Sequence, residues 1–275
     1  MNHKAIGVFD SGVGGLTVLD AIRQVLPNED YIFLGDTARV PYGNRTRQTI
    51  IRYATSCVHQ LVARDVKAIV IACNTASAYA LDALTQMLDI PVFGVIEPAA
   101  QKAVQLSHNR CVGIIGTRAT IHSQAYVNAI QSINNDVKVY GMPCPLFVPI
   151  VEEGWANSDV ARLVVSRYLA DLLKDVEQNG DQMDTLILGC THYPILKTII
   201  AKELAEMGKS VELCDCAQAT AASLAKDLQE HHLLSDAKST GNADYLVTDD
   251  PAQFSMIGKS FMKVPPENVE HIDIV

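Results

Sequence analysis

The feature that most constrains this chain is a repeated unit: a short apolar run, a small or polar residue at its end, then a segment of helical period. Runs at 5–9, 31–34, 68–72, 92–95, 112–115, 137–140, 185–188 and 211–214, with a late one at 245–248, are each short enough for a buried strand. Between them Leu16, Leu19, Ile22, Val25 and Leu26 recur at helical spacing, as do Leu81, Leu84 and Leu88, and later Leu196, Ile199, Ile200 and Leu204. Parallel strands need long crossover connections, and such helices supply them. The fold class is therefore α/β, with mainly parallel sheets flanked by helices.

The unit also echoes itself at long range. Gly7 in IGVFDS and Gly113 in VGIIGT lie 106 residues apart, and Tyr31 and Val137 share that offset. Each of these next strands leads to a Val-Pro pair, Val40-Pro41 and Val148-Pro149. The segments IVIACNTAS and LILGCTHYP repeat an apolar strand that meets a small residue, then Cys73 or Cys190. Two similar halves are expected. The apolar runs after about Val211 come once the second half is complete, so they are expected to return to the first. That gives a discontinuous first domain, 1–97 plus 211–275, and a second domain, 98–210.

Composition narrows the partners. With 48% hydrophobic and 19% charged residues over 275, the chain reads as an ordinary globular protein. It carries 22 Lys and Arg against 31 Asp and Glu, a formal charge of −9, and no basic run. Nucleic acid and anionic membrane are thus poor partners. The first apolar run, Ile6 to Phe9, is too short for a signal-peptide core or a membrane span, so a cytoplasmic protein is expected. Seven scattered cysteines read as thiols rather than a disulfide framework.

In open parallel sheets, ligands sit beyond the carboxyl ends of the strands. Asp10 and Ser11 follow the first run, ahead of Gly12, Gly14 and Gly15, where glycines would let the backbone approach a ligand and free helix-terminal amides. Neither a dinucleotide fingerprint nor a P-loop is present, and the second Asp of an aspartyl-phosphate hydrolase is Gly12 here. Cys73 precedes Asn74-Thr75, a good helix start, where the dipole favours a thiolate. Cys190 precedes Thr191, His192, Tyr193 and Pro194, with Pro194 suited to a first helical turn. Taken singly, each cysteine reads as a small buried hydrophobe. As a matched pair on two similar halves they read as two thiols serving one site.

Other constellations are weaker. Cys73 and Cys190 lack the CxxC spacing of a redox pair. Cys214, Cys216, His231 and His232 are poor metal ligands, since the CxC lies in a strand-like run and the histidines at a polar helix end; no metal is expected. Glu152 and Glu153 follow the strand-like stretch 147–151, from which a carboxylate could orient His192. No Arg stands in these motifs, so a small anionic substrate would be held by backbone amides and by Ser11, Asn74, Thr75, Thr117, Thr120 and Thr191.

The blocks FDSGVGGLTVL, GDTARVPYG, ACNTAS, VPIVEEG and GCTHYPIL resemble, in order and over nearly the whole chain, those of the cofactor-independent glutamate racemases. The resemblance implies two α/β domains about a pseudo-twofold axis, a site in the cleft between them, no cofactor, and a homodimer. It implies that Cys73 and Cys190 are the acid/base residues on opposite faces of the substrate α-carbon, Cys73 acting on D-glutamate and Cys190 on L-glutamate. Asp10 would assist Cys73, and Glu152 with His192 would assist Cys190. Ser11, Pro41, Tyr42, Gly43, Asn74, Thr75, Thr117, Thr120 and Thr191 resemble its substrate-binding positions. A D-glutamate supply implies a role in peptidoglycan precursor synthesis.

Alternatives remain at this stage. Aspartate racemases are the nearest relatives, but that branch typically has His where Ser77 stands and Glu where His192 stands. A decarboxylase or hydantoin racemase of the superfamily would not be expected to keep both cysteine blocks. A non-catalytic amino-acid-binding or regulatory protein would need neither thiol. Only six residues precede Gly7, so activation through an N-terminal extension, as in some members, is not expected.

Overall fold

The computed structural model describes residues 4–274. By chain contacts it divides into two compact units, one comprising residues up to Val95 and from Ala217 on, the other Ile96–Cys216.

In the first unit, β1 (Ile6–Asp10), α1 (Leu16–Val25), β2 (Tyr31–Gly35), α2 (Arg47–Val62), β3 (Ala68–Ile71), α3 (Asn74–Met87) and β4 (Val92–Gly94) alternate along the chain. The second unit runs α4 (Ile96–Leu106), β5 (Cys111–Gly116), α5 (Arg118–His122), α6 (Ala125–Ile133), β6 (Lys138–Pro143), α7 (Phe147–Glu152), α8 (Asp159–Gln178), β7 (Thr185–Gly189), α9 (Lys197–Glu206) and β8 (Glu212–Asp215). Helix α10 (Cys216–Glu230) then leads to β9 (Ala243–Val247), α11 (Pro251–Gly258) and β10 (Val269–His271).

The first sheet has the order β10-β9-β2-β1-β3-β4 and the second β6-β5-β7-β8, and every pairing is parallel. Strands β1, β3, β5 and β7 are buried along their whole length, whereas β4, β6 and β10 are only partly covered. Central parallel strands bury both faces and so read as unbroken apolar runs. This is why the sequence marks them clearly and the short polar edge strand β10 not at all.

The echo has a structural counterpart. The order β2-β1-β3-β4 is repeated by β6-β5-β7-β8. Gly7 pairs with Ile69 on β3, and Gly113 with Leu186 on β7. A Cβ on Gly7 would come 2.9 Å from Ile69 and 3.3 Å from Leu61 of α2. One on Gly113 would come 3.0 Å from Leu186 and 3.3 Å from Leu172 of α8. Both glycines thus make room for the crossover helix that precedes the neighbouring strand.

Two expectations are corrected. The stretch 211–215 does not return to the first unit: β8 pairs with β7, Leu186 opposite Leu213, because Leu213 and Cys214 extend the second sheet's ladder before the chain crosses back. The stretch 147–151 is helical rather than strand-like. Its Phe147 ring packs edge-on between Tyr168 and Tyr193, at 5.3 and 5.0 Å, a tertiary demand that overrides β-propensity. The Val-Pro echo therefore joins unlike settings, since Pro149 lies in the first turn of α7 and Pro41 in a loop.

A Cβ at Gly113 would also fall 2.1 Å from the Met183 sulfur, so Gly113→Ala is expected to cost about 1–3 kcal/mol through overpacking. Urea unfolding against the parent checks this, and an unchanged midpoint would show that Met183 yields freely.

Candidate active site

Each sheet reverses its strand order once in the same way. From β1 the chain steps to β2 on one side and then to β3 on the other; β5, β6 and β7 do the same. Ligand crevices form outside the carboxyl ends of strands at such reversals. Asp10 and Cys73 follow the β1/β3 reversal, and Thr117 and Cys190 the β5/β7 reversal.

In the first unit Asp10 is buried and its Oδ2 accepts the Gly12 amide at 2.9 Å. Gly15, at the start of α1, leaves the space where Asp10 sits: a Cβ there would lie 2.4 Å from the Asp10 Cβ. That glycine therefore admits a neighbouring carboxylate, not only a ligand. Cys73 has extended backbone and caps α3, its Sγ accepting the Ala76 amide at 3.5 Å and donating to Ser11 Oγ at 3.4 Å. A helix N-terminus aimed at sulfur favours negative charge there. Asn74 and Thr75, the first residues of α3, are buried beside it.

Pro41, Tyr42 and Gly43 lie in the loop beyond β2, with the Val40-Pro41 bond cis. The anchor of this loop is Asp36, which the sequence reading did not single out. Its fully buried carboxylate accepts Arg39 Nε at 2.8 Å, Thr248 Oγ1 at 2.9 Å and the Tyr42 hydroxyl, and its amide donates to the Asp10 carbonyl at 3.0 Å. Arg39 also donates to Cys57 and lies over the Tyr53 ring, 4.6 Å from its centroid. The signal was available: Asp36 directly follows a largely buried strand, and Asp10 is the last residue of one.

In the second unit Thr117 caps α5, accepting the Thr120 amide at 3.2 Å, and the two hydroxyls are 2.9 Å apart. Cys190 differs from Cys73 in that it caps no helix. A short 3-10 helix, Tyr193–Leu196, begins after His192, with Pro194 in its first turn. What Cys190 has instead is an imidazole: His192 Nδ1 lies 4.0 Å from Sγ and 3.4 Å from Thr191 Oγ1. On its other side His192 Nε2 meets Glu152 Oε1 at 2.8 Å. Glu152 ends α7, which is fastened by Phe147 against Tyr193, while the Tyr193 hydroxyl donates to the Cys144 carbonyl, three residues before the helix, at 2.8 Å.

Burial opposes charge on His192, but hydrogen bonding to Cys190 and Glu152, with their negative charge, outweighs it and raises the imidazole from 6.5 to about 10. As imidazolium, it presents an N–H to each partner. Cys190, Thr191, His192 and Glu152 thus form one cluster, and Asp10, Ser11, Cys73, Asn74 and Thr75 another. Glu153 stands outside, beyond the end of α7.

All seven cysteines are buried. Cys214 and Cys216 donate to the Ala99 and Leu188 carbonyls, while His231 and His232 are exposed. Among the described residues no group of three or more His, Cys, Asp or Glu is placed to hold a metal ion. No helix among them is long and apolar enough to cross a membrane.

Comparison with known proteins gives a consistent picture. The family model for Asp/Glu/hydantoin racemases matches residues 6–224. A glutamate racemase of Geobacter metallireducens is 50% identical over 262 residues, 95% of this chain and 94% of that one. A solved glutamate racemase isoform from Bacillus anthracis superposes with a TM-score of 0.93 at 36% identity, covering 100% of this chain and 99% of that one. A Francisella tularensis glutamate racemase, solved in complex with D-glutamate, superposes at 0.89 with 39% identity over 100% and 99%.

The raised His192 makes a pH prediction. A group whose folded pKa exceeds its unfolded value contributes stability in full below about 6.5, and that contribution is lost as pH rises through about 10. Glu152→Gln should lower the His192 pKa and move the loss to lower pH. Titration of the imidazole Cε1 proton by NMR reads this directly, and an unchanged His192 pKa would remove Glu152 as a cause.

Proposed function

The chain belongs to the Asp/Glu/hydantoin racemase family, and from that premise we propose that it is a glutamate racemase that interconverts L- and D-glutamate by two-base proton transfer at the α-carbon. The observation that carries this is the recurrence of a thiol, Cys73 and Cys190, after equivalent strands β3 and β7, each with its own polar helpers.

Inversion requires a proton to leave one face of the α-carbon and another to arrive at the opposite face. In the L-to-D direction the Cys190 thiolate takes the α-proton and becomes a thiol, while the Cys73 thiol gives its proton to the other face and becomes a thiolate. The reverse direction exchanges the roles. Asp10 assists Cys73, and His192, held by Glu152, assists Cys190. The two thiols have different helpers, a helix terminus and carboxylate for one and an imidazole for the other.

The α-hydrogen of an amino acid is a very weak acid, and the reaction proposed here uses no cofactor to delocalise the carbanion. Stabilisation must come from fixed dipoles at the substrate carboxylate: amides at the start of α3 and hydroxyls of Ser11, Thr75, Thr117, Thr120 and Thr191, with Asn74 and the 41–43 loop completing the pocket. D-glutamate is consumed in peptidoglycan precursor synthesis, which gives the activity its role in a bacterial cytoplasm; the active form is a homodimer.

Purified protein should racemise L-glutamate, followed by circular dichroism, and leave L-aspartate unchanged. Cys73→Ser and Cys190→Ser should each reduce turnover by at least about 100-fold, the scale of a lost general acid/base. Either variant racemising near the parental rate would refute the two-cysteine assignment, and turnover of L-aspartate alone would make the chain an aspartate racemase.

A further inference from the structure

Cys216 is fully buried and has no role in the reaction proposed above. Its Sγ donates to the Leu188 carbonyl at 3.2 Å and lies 3.0 Å from the Tyr126 hydroxyl. A thiol has one hydrogen. With that hydrogen on Leu188, the sulfur accepts from Tyr126, so the order of donation is Tyr126 to Cys216 to Leu188. Burial, then the contact with Cys216, raises the Tyr126 hydroxyl well above its ordinary range, which keeps it a neutral donor.

Leu188, Gly189 and Cys190 are consecutive, and this chain grips the first two. Gly189 has no side chain, and a Cβ there would lie 3.2 Å from Tyr126 Cε2 and 2.8 Å from the Ile115 carbonyl. The tyrosine ring therefore lies against the peptide that carries Cys190, while its hydroxyl, through Cys216, holds the carbonyl before it. The ring is buried, and the contact of its hydroxyl with Cys216 adds a directional restraint to that packing.

We infer that Tyr126 and Cys216 form a positioning pair that fixes the end of β7 and so aims the Cys190 thiol. The pair touches no reacting atom. This inference rests on the two-cysteine racemase reading and assigns a new role to two residues outside it.

The test uses the full chain with Tyr126→Phe, Cys216→Ala, the double variant and Cys216→Ser, each checked for folding by circular dichroism. Rates are measured in both directions with α-protio and α-deuterio L- and D-glutamate. Tyr126→Phe and Cys216→Ala should each lower kcat about tenfold with KM little changed, the pattern of misaimed rather than unbound substrate. The deuterium isotope effect should rise in the L-to-D direction, where Cys190 breaks the C–H bond, and fall in the D-to-L direction, where Cys73 does. The double variant should be no worse than either single one, because one chain is cut in both. Cys216→Ser keeps a donor and an acceptor and should restore most of the rate.

An unchanged kcat, or a lower kcat with isotope effects altered equally in both directions, would overturn the positioning role while leaving the racemase reading intact. Should Tyr126→Phe not fold, the contrast between Cys216→Ala and Cys216→Ser decides alone, and equal rates for those two would overturn it. A parental protein that racemises neither isomer would instead bring down the racemase reading, and this inference with it.

Discussion

The placement of both polar clusters depends on the reversal of strand order beside β1 and again beside β5. A parallel sheet that is extended first on one side of a strand and then on the other leaves the carboxyl ends of two adjacent strands without a crossover above them. The residues that end those strands are thereby brought side by side although they lie far apart in sequence. Asp10 and Cys73 stand at adjacent strand ends for this reason, as do Thr117 and Cys190. Burial of β1, β3, β5 and β7 on both faces holds the ends rigidly, and the matched glycines Gly7 and Gly113 let the crossover helices close on the sheets.

On this common frame the two thiols are given different surroundings. Cys73 takes the N-terminus of a full α-helix, with the Ala76 amide at its sulfur. Cys190 has a short 3-10 helix that starts too late to serve it, and His192, clamped by Glu152, fills the same electrostatic need. A symmetric scaffold with unsymmetric helpers suits a reaction whose two faces receive mirror-image substrates. In the two-cysteine reading proposed above, each thiol can be tuned separately while the strand-and-turn geometry is repeated.

The legible parts of the fold are those with a single strong cause. Doubly buried strands announce themselves as apolar runs, and helix starts such as Cys73-Asn74-Thr75 carry their capping chemistry locally. Asp10, Cys73, Cys190 and His192 could be singled out because each falls at or just beyond the end of such a run. Helix α7 could not be read, because its helical state is imposed by Phe147 packing between two tyrosines distant in sequence. The placement of β8 was missed since an apolar run does not say which sheet it joins. Asp36 is legible as a polar residue after a strand, but its anchoring role is not, because that lies in partners gathered from three segments, Arg39 and Tyr42, Cys57 through Arg39, and Thr248. Tyr126 gives no local sign at all: its contacts with Cys216 and Gly189, both distant in sequence, connect it to the end of β7.

The central claim is that two bases act on opposite faces, and the fate of the α-hydrogen tests it most directly. L-glutamate is incubated with the protein in D2O and both enantiomers are examined by NMR at early conversion. Two-base transfer through monoprotic thiols predicts D-glutamate that carries deuterium at the α-carbon while the remaining L-glutamate keeps its protium. Retention of the original hydrogen in the D-product, or equal early exchange in both enantiomers, would mean that one base serves both faces and would contradict the roles given to Cys73 and Cys190.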